Sequence, residues 1–301
     1  GHKAANFHEN TLVEVLWTAI PFAILVAMAV PATATLIEMY DTTESEVDIK
    51  ITGYQWRWQY EYINDDFGYF SSLSTPRDQI ENRQAKGENY LLEVDKPLVI
   101  PVGKKVRFLL TANDVIHSWW VPEFGVKKDA IPGFINETWT RVDEPGIYRG
   151  QCTELCGKDH GFMPVVVEAV PEEEYAAWVA EQKEAAEAER QLTQKDWTLD
   201  ELIERGEKAY ASACASCHQP NGAGMPPAFP ALKGSPIATG DMAAHIDIVV
   251  NGVSGTAMQA FGGQLSEVDL AAVITYERNA WGNNTGEMVT PKEIFDFKNK
   301  E

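Results

Sequence analysis

Residues 47–62 read VDIKITGYQWRWQYEY, and this run decides the fold. Its first half alternates Val47, Ile49 and Ile51 with polar residues, which is the two-residue period of a half-buried strand, and its second half is rich in aromatic residues. Shorter apolar segments follow, separated by the Pro and Gly residues typical of turns. These segments predict strands at 90–94, 97–102, 105–111, 138–142, 146–150 and 163–170. An all-β sandwich or small barrel is therefore predicted over residues 41–170.

A stretch without charge lies upstream of this region. The 23 residues 15–37 contain no charged side chain, and Glu14 and Glu38 bound them. A helix of that length spans about 34 Å, close to the hydrocarbon thickness of about 30 Å. A buried helix of a soluble core is the alternative. It is less favoured because Pro21 and Pro31 would destabilise a soluble helix more than a membrane helix packed on its neighbours.

Residues 1–40 are therefore predicted to form a membrane segment with one helix at about 15–39. The charges at its two ends indicate its orientation. His2, Lys3 and His8 precede the helix, and acidic residues follow it. By the positive-inside rule, the N-terminus lies in the cytoplasm and everything after residue 40 lies outside.

The overall charge restricts the partners of the chain. It has 45 acidic and 25 basic residues and a net charge of −20, which excludes a nucleic-acid partner and favours a basic protein partner. Residues 171–203 are rich in Ala and Glu and predict an acidic, solvated linker helix. Helical character returns over residues 204–301, where the segment from Ser266 to Asp269 resembles a capping box that begins a helix.

Residues 214–218 read CASCH, the strongest local motif in the chain. Two thiols three residues apart on a helical turn can both add to the vinyl groups of a haem, and His218 can ligate its iron. A zinc half-site or a redox dithiol is the alternative, but no second Cys pair follows to complete a zinc site. The motif predicts covalent haem c on Cys214 and Cys217, in an all-α class I cytochrome c domain over residues 204–301.

A thioether from a downstream Met would complete the iron coordination and raise the potential of the haem. Met225 lies only 7 residues beyond His218, and Met288 lies past the last predicted helix. Met258, in the loop before that helix, is the favoured ligand, and Met242 is the alternative.

Residues 152–163 read CTELCGKDHGFM and form a second cluster of candidate ligands. Thiolate, imidazole and thioether groups suit copper, and their spacing places them in one loop between strands. Because a mononuclear blue copper site would use a single Cys, two Cys residues four apart indicate sulfurs that bridge two copper ions. A zinc site with two Cys and two His is the alternative that the spacing leaves open. The candidate ligands are His117 upstream of the loop, Cys152, the Glu154 carbonyl, Cys156, His160 and Met163.

Together these motifs resemble subunit II of the haem-copper cytochrome c oxidases. The resemblance is carried by His117-Ser118-Trp119, loop 152–163, the aromatic run 55–62, and residues 14–18 with Pro21. The c-type segment is similar to the bacterial variant that carries its own cytochrome c. One departure lies in the aromatic run, where the usual Gly-His-Gln is Gly53-Tyr54-Gln55.

The resemblance implies a dinuclear CuA centre in a cupredoxin-like all-β barrel, and it makes zinc the minor alternative. The implied ligands are His117, Cys152, Glu154 through its backbone carbonyl, Cys156, His160 and Met163. The Glu154 carboxylate would also reach a magnesium ion shared with the catalytic subunit.

The resemblance also implies roles for two residues outside the copper loop. Trp56 would pass electrons from a docked cytochrome toward CuA, with an ordinary barrel aromatic as the alternative. Glu14 would lie at the mouth of a proton-uptake channel, with a charge that merely ends the membrane helix as the alternative. Family members carry two membrane helices as a hairpin, so a first helix is expected upstream of residue 1 or removed by cleavage.

The implied function is electron relay. Electrons would pass from a donor cytochrome c or a cytochrome bc-type complex, through haem c and CuA, to the haem-copper subunit I, which reduces oxygen and pumps protons. Further oxidase subunits and membrane lipid are also implied partners. The implied location is the bacterial inner membrane, with both metal-binding domains on the periplasmic side.

The alternatives to this function are a nitric oxide reductase subunit and a non-enzymatic periplasmic copper or haem protein. Quinol oxidase subunits are excluded because they lack these copper ligands.

Overall fold

The computed structural model describes residues 8–299. Two compact units make up the chain, Gly1–Val179 and Ala180–Glu301. The first seven residues of the predicted membrane segment, His2 and Lys3 among them, lie outside the described residues, as do the last two of the predicted cytochrome c domain.

The first unit begins with a 30-residue helix, α1 (Thr11–Tyr40), which contains Pro21 and Pro31. Its mean hydropathy of 2.1 and its length are sufficient to cross a membrane, and none of its side chains is buried. The helix starts four residues earlier than predicted because the Asn10 side chain caps it, accepting a hydrogen bond from the Val13 N–H.

In the described part of this unit, α1 is followed by ten strands, one short α-helix, α2 (Arg77–Ile80), and two 3-10 helices, Pro122–Phe124 and His160–Phe162. The strands are β1 (Val47–Tyr54), β2 (Arg57–Tyr62), β3 (Phe67–Ser71), β4 (Leu98–Pro101), β5 (Val106–Ala112), β6 (His117–Val121), β7 (Val126–Ala130), β8 (Asn136–Thr140), β9 (Gly146–Cys152) and β10 (Pro164–Val170). They form two sheets, in the orders β3-β2-β1-β5-β8 and β4-β10-β9-β6-β7. The pairs β1–β5 and β4–β10 are parallel, and all the other paired strands are antiparallel. Of the two predicted architectures, a sandwich or a small barrel, the domain has the sandwich, because its strands pair within two separate sheets.

The core of the sandwich follows from the alternation in the opening strands. Ile49 and Ile51 of β1 and Trp58 and Tyr60 of β2 are fully buried on one face of the first sheet. The second sheet contributes fully buried Leu98, Ile100, Trp119, Val121, Val165 and Val167. Burial of the two inner faces against each other holds the sandwich together.

Two strand predictions are wrong. The run 47–62 is not one strand but the hairpin β1–β2, in which Gly53 pairs with Trp58. The two-residue turn at Gln55 and Trp56 shifts the phase of the alternation, so the inward-facing residues have odd numbers in β1 (Ile49, Ile51) and even numbers in β2 (Trp58, Tyr60). Residues 90–94 form no strand, because Leu91 adopts a left-handed backbone with φ +63° and only Val94 makes an isolated bridge.

The second unit is helical. Its elements are α3 (Glu172–Leu192), which begins in the first unit, α4 (Leu199–Ala213), α5 (Ala215–His218), α6 (Pro236–Thr239), α7 (Met242–Asn251), α8 (Glu267–Asn279) and α9 (Pro291–Lys298). The predicted linker 171–203 is therefore α3, a short loop and the first turn of α4. Thr198 and Glu201 form the capping box that begins α4. Ser266 caps α8, where a helix start was predicted.

Helices α4 and α8 pack closely because α4 carries a glycine at their crossing. A Cβ atom at Gly206 would lie 2.1 Å from the Ala272 carbonyl oxygen of α8. The apolar side chains of α7 and α8 pack around Tyr210 and Cys214, which places the CASCH motif against the core of this unit.

Candidate copper and haem sites

The strand order brings two distant segments to one end of the second sheet. Strand β6 begins at His117 and β9 ends at Cys152, and these antiparallel neighbours pair Trp119 with Cys152. The loop 153–163 leaves β9 at this end and returns into β10. Its two ends are joined by a hydrogen bond of 2.9 Å from the Cys152 N–H to the Met163 carbonyl. The topology therefore holds the whole loop beside His117.

The predicted copper ligands converge at this point. The Sγ atoms of Cys152 and Cys156 lie 3.8 Å apart, and the ligand atoms of His117, Cys152 and Cys156 all lie within 4.8 Å of one another. The Cys152 thiol is 3.4 Å from the Glu154 carbonyl, and the Cys156 sulfur is 3.4 Å from Nδ1 of His160. Both thiols are buried.

Met163 is also buried and is tied to the cluster through its backbone. The donor set is thus rich in sulfur and imidazole nitrogen and shielded from water. Such donors suit copper or zinc and do not suit magnesium or calcium. The residues present therefore fit the predicted copper pair.

A carboxylate that the sequence analysis did not single out orients His117. The Asp114 Oδ1 lies 2.8 Å from Nε2 of the fully buried His117, and the Asp114 Oδ2 accepts a 2.8 Å hydrogen bond from the Gln55 N–H. A carboxylate on one ring nitrogen directs the other toward the metal position. Nδ1 of His117 faces Cys152 Sγ at 4.0 Å. The only signal for Asp114 in the sequence is its position three residues before His117.

The β1–β2 turn contacts the copper loop at a second place. The Cys156 carbonyl accepts hydrogen bonds from Nε2 of Gln55 at 2.8 Å and from Nε1 of Trp56 at 3.1 Å. Gly157, at φ +116°, leaves the space for this contact, because a Cβ atom there would lie 2.9 Å from Gln55 Nε2. Trp56 is therefore one hydrogen bond away from a candidate ligand.

The two thiols differ in acidity. Burial opposes ionisation of Cys152, but hydrogen bonds to His117 and to the backbone of Ser118 and Glu154 outweigh it and lower the pKa of its thiol. Burial and the adjacent Cys152 raise the pKa of Cys156 to about 12. Burial also opposes protonation of His117, but Asp114 and Cys152 raise its pKa overall. Metal binding at this cluster must therefore displace protons.

The haem motif lies on a helical turn that directly follows α4. Cys214 ends α4, and the N–H groups of Cys217 and His218 both donate to its carbonyl. His218 is largely buried, and its Nδ1 lies 2.9 Å from the Pro230 carbonyl. Because a carbonyl can only accept, Nδ1 carries the proton and Nε2 is the nitrogen left to ligate iron. Pro230 is a second functional residue that the sequence analysis did not single out.

The methionines of the second unit differ in environment. Met258 lies in the loop before α8, is partly buried, and packs against the same apolar core as Cys214. Met242 also contacts this core, from the first turn of α7. Met225 and Met288 are exposed. The choice of Met258 over Met242 stays a prediction.

Two further residues have defined surroundings. Glu14 lies in the first turn of α1, and its Oε1 accepts a 3.1 Å hydrogen bond from the Asn10 N–H, as a helix-capping carboxylate does. The sequence assigns no role to His245. This residue is buried, and its Nε2 lies 2.9 Å from a carboxylate oxygen of Glu277, so it packs within the second unit.

The chain combines three features: a cupredoxin-like β-sandwich with a sulfur-rich ligand loop, a membrane-spanning helix and a c-type haem motif. Together they define a membrane-anchored electron-transport protein. The family description "Cytochrome C oxidase subunit II, periplasmic domain" matches residues 47–170, and its transmembrane domain matches residues 2–34. The description "Cytochrome C oxidase, cbb3-type, subunit III" matches residues 201–276. The chain belongs to the cytochrome c oxidase subunit II family, and a cytochrome c-type region follows its β-sandwich.

Individual relatives agree with this family. Cytochrome c oxidase subunit 2 of Cyanidium caldarium is 44% identical over 181 residues, 58% of this chain and 69% of the relative. The "Probable cytochrome c oxidase subunit 2" of Rickettsia felis is 46% identical over 182 residues, 60% of this chain. The chain spans 56% of the length of that relative. The periplasmic domain of subunit II of cytochrome oxidase of Bradyrhizobium japonicum is 41% identical, with a TM-score of 0.43, over 48% of this chain and 98% of that structure.

The family membership has consequences for cofactors and location. The subunit II family implies CuA copper, and the cytochrome c-type region implies haem c. The membrane helix and the periplasmic domain description indicate a membrane-anchored protein with its β-sandwich outside.

Proposed function

We propose that this chain is the electron-accepting subunit of a haem-copper terminal oxidase. It takes electrons from a donor cytochrome, passes them from its own haem c to CuA, and delivers them to the catalytic subunit, which reduces oxygen to water and pumps protons. The observation that carries the proposal is the buried cluster of His117, Cys152 and Cys156, whose two sulfurs lie 3.8 Å apart. The names of the relatives favour an oxidase over a nitric oxide reductase.

The copper pair would be held by residues from both ends of loop 153–163 and by His117 of β6. When bound, the copper pair and the haem each accept and release one electron at a time. Cys152 and Cys156 would supply sulfur ligands to both copper ions, and burial excludes water from these thiols. Its closure onto β6 and β10 keeps the ligand positions fixed, which keeps the structural change between redox states small. The proposed ligands are His117, Cys152, the Glu154 carbonyl, Cys156, His160 and Met163.

The haem is held by the second unit. Cys214 and Cys217 would provide the thioether links, and the Pro230 carbonyl, which holds Nδ1 of His218 at 2.9 Å, would leave Nε2 to ligate the iron. Met258, in the loop before α8, would supply the thioether ligand, which would raise the potential of the haem. The Ala- and Glu-rich helix α3 belongs to the segment that tethers this unit to the copper domain, and a tether replaces diffusion by an effective concentration of order mM.

Trp56 provides the route for an electron into the copper site. Its indole N–H donates to the Cys156 carbonyl at 3.1 Å, and its side chain is only half-buried. A donor docked on this side chain is connected to a copper ligand through one hydrogen bond. The acidic surface of the chain, with a net charge of −20, attracts a basic donor such as a cytochrome c.

Two carboxylates have proposed roles at the boundary with the catalytic subunit. The exposed Glu154 side chain reaches a magnesium ion shared with that subunit. Glu14, at the cytoplasmic end of α1, delivers protons to an uptake channel. The chain is placed in the bacterial inner membrane, in contact with lipid, subunit I and further oxidase subunits.

The relay is tested by Cys156→Ser in the purified oxidase, with Leu155→Val as the control. Leu155 is a neighbouring loop residue whose side chain is exposed. Cys156→Ser is expected to abolish electron transfer from the haem to the catalytic subunit while the haem spectrum stays unchanged, and Leu155→Val to behave as the wild type. Full oxidase activity in Cys156→Ser would rule out the relay.

The channel role of Glu14 has its own test. Glu14→Ala is expected to slow turnover without changing the copper or haem spectra, because the residue lies far along the chain from both sites. Normal turnover in this variant would leave Glu14 as a charge that ends the membrane helix and accepts a hydrogen bond from the Asn10 N–H.

A further inference from the structure

Gly53 lies near the end of β1, directly against the imidazole of His117. A Cβ atom at position 53 would lie 2.7 Å from Cδ2 and 2.9 Å from Cγ of that ring. Non-bonded carbon atoms do not approach so closely, so any side chain at Gly53 would force the imidazole or the strand to move. Gly53 and His117 are both buried, so either movement would press against packed neighbours.

The backbone does not explain the glycine. Gly53 is absent from the positions with left-handed φ among the described residues, and it pairs in ordinary register with Trp58 of β2 and Ala112 of β5. Any residue can adopt this extended conformation, and glycine weakens the interior of a strand. The close approach of the His117 ring is therefore the feature that requires glycine here.

Other groups fix the ring from its remaining sides. The Trp58 ring, opposite Gly53 on the neighbouring strand, meets the imidazole edge-on with centroids 5.9 Å apart. The Asp114 carboxylate holds Nε2 at 2.8 Å, and the Gly53 carbonyl accepts a 2.9 Å hydrogen bond from the neighbouring Asn113 N–H. The end of β1 thus touches both the imidazole and the segment that carries its carboxylate partner.

We propose that Gly53 is a positioning residue for His117. Its missing side chain lets the imidazole rest on β1, so that Nδ1 faces Cys152 Sγ at 4.0 Å. A methyl group at position 53 pushes the ring away from the sulfurs. The relevance of this displacement to copper rests on the proposed function, but the steric contact exists in the protein without metal.

A double-mutant cycle in the full-length, copper-free chain tests the contact. The variants are Gly53→Ala, His117→Ala and the double variant, and the measurement is hydrogen exchange of peptides from β1, β2 and β5 in detergent. Overpacking predicts that Gly53→Ala raises the local opening constant by about tenfold or more when His117 is present. Removal of the imidazole removes the clash, so Gly53→Ala should have little effect in the His117→Ala background.

Gly68→Ala is the matched control. Gly68 lies in the same sheet, and a Cβ atom there would lie 2.8 Å from the Tyr60 carbonyl oxygen, so the substitution is equally tight but does not touch His117. Its effect on exchange should be the same with and without the imidazole. After copper loading, Gly53→Ala should alter the hyperfine pattern of the copper EPR signal, and Gly68→Ala should leave it unchanged.

The possible outcomes distinguish failure of the positioning role of Gly53 from failure of the proposed copper function. Loss of the Gly53→Ala effect in the His117→Ala background supports the positioning role, even if the single variant is too unstable to load copper. An equal effect in both backgrounds, or no effect on exchange or EPR, overturns it. Because the cycle uses no metal, its result stands whichever metal the cluster binds.

Discussion

Substitution of Asp114 is expected to weaken the copper site through a fully buried imidazole. Only 13% of the Asp114 side chain is exposed, and its two oxygens accept hydrogen bonds from His117 Nε2 and from the Gln55 N–H. Asp114→Ala removes the acceptor from both of these donors and from the Val115 N–H, which donates to Oδ1 at 2.7 Å. At about 1–3 kcal/mol for each of the His117 and Gln55 donors, the copper-free site loses about 2–6 kcal/mol, which is about 30- to 25,000-fold in its opening constant.

The assay is hydrogen exchange of the segment from β5 to β6 in the copper-free chain, with Asp114→Asn as the conservative variant. An asparagine carbonyl can still accept one of the two hydrogen bonds, so we expect about half of the loss in free energy. Copper loss should follow the same order, with Ala faster than Asn and Asn faster than the wild type. An opening constant for Asp114→Ala within about threefold of the wild-type value would refute this reasoning. Even the loss of two weak hydrogen bonds should change the opening constant by more than that.

Three predictions concern the second unit. Met258→Ala should abolish the sulfur-to-iron charge-transfer band and lower the haem potential, whereas Met242→Ala should leave both unchanged; the reverse result would exchange the two assignments. Gly206→Ala should destabilise the unit by about 1–3 kcal/mol in thermal unfolding followed by haem absorbance, because its methyl group meets the Ala272 carbonyl, and stabilisation would contradict this packing. Hydrogen bonds from Lys195 and from Thr198 lower the pKa of Glu201 from 4.5 to about 2. The stabilisation is therefore present above pH 4.5 and lost as the pH falls toward 2, so the stability difference between wild type and Glu201→Gln should shrink over that range, and a constant difference would contradict it.

Sequence reasoning reached the copper loop because most of the candidate ligands lie within residues 152–163. Their chemistry is visible without any knowledge of the fold, and the structure places Cys152, Cys156 and His160 together. The residues that hold His117 in place could not be predicted in the same way. Asp114 meets Gln55 across 59 residues, through strand pairing that the sequence does not state.

The strand predictions succeeded and failed for related reasons. Strands such as β5 and β10 carry long apolar or alternating patterns and were found at nearly their observed bounds. Strand β7 was missed because its sequence, Val-Lys-Lys-Asp-Ala, has three charged residues at the sheet edge. Residues 90–94 have the composition of a strand, but the left-handed backbone at Leu91 turns the chain away from one. The local pattern of apolar residues does not show whether a segment lies at the edge of a sheet or where the backbone turns.

The most direct test of the account is copper EPR of the copper-loaded, partly oxidised full-length chain. The account predicts a hyperfine pattern from one electron shared equally by two copper nuclei, bridged by the sulfurs of Cys152 and Cys156. The haem spectrum should be present in the same sample. A pattern from a single copper nucleus, or no copper signal with the haem intact, would contradict the dinuclear site and with it the proposed relay.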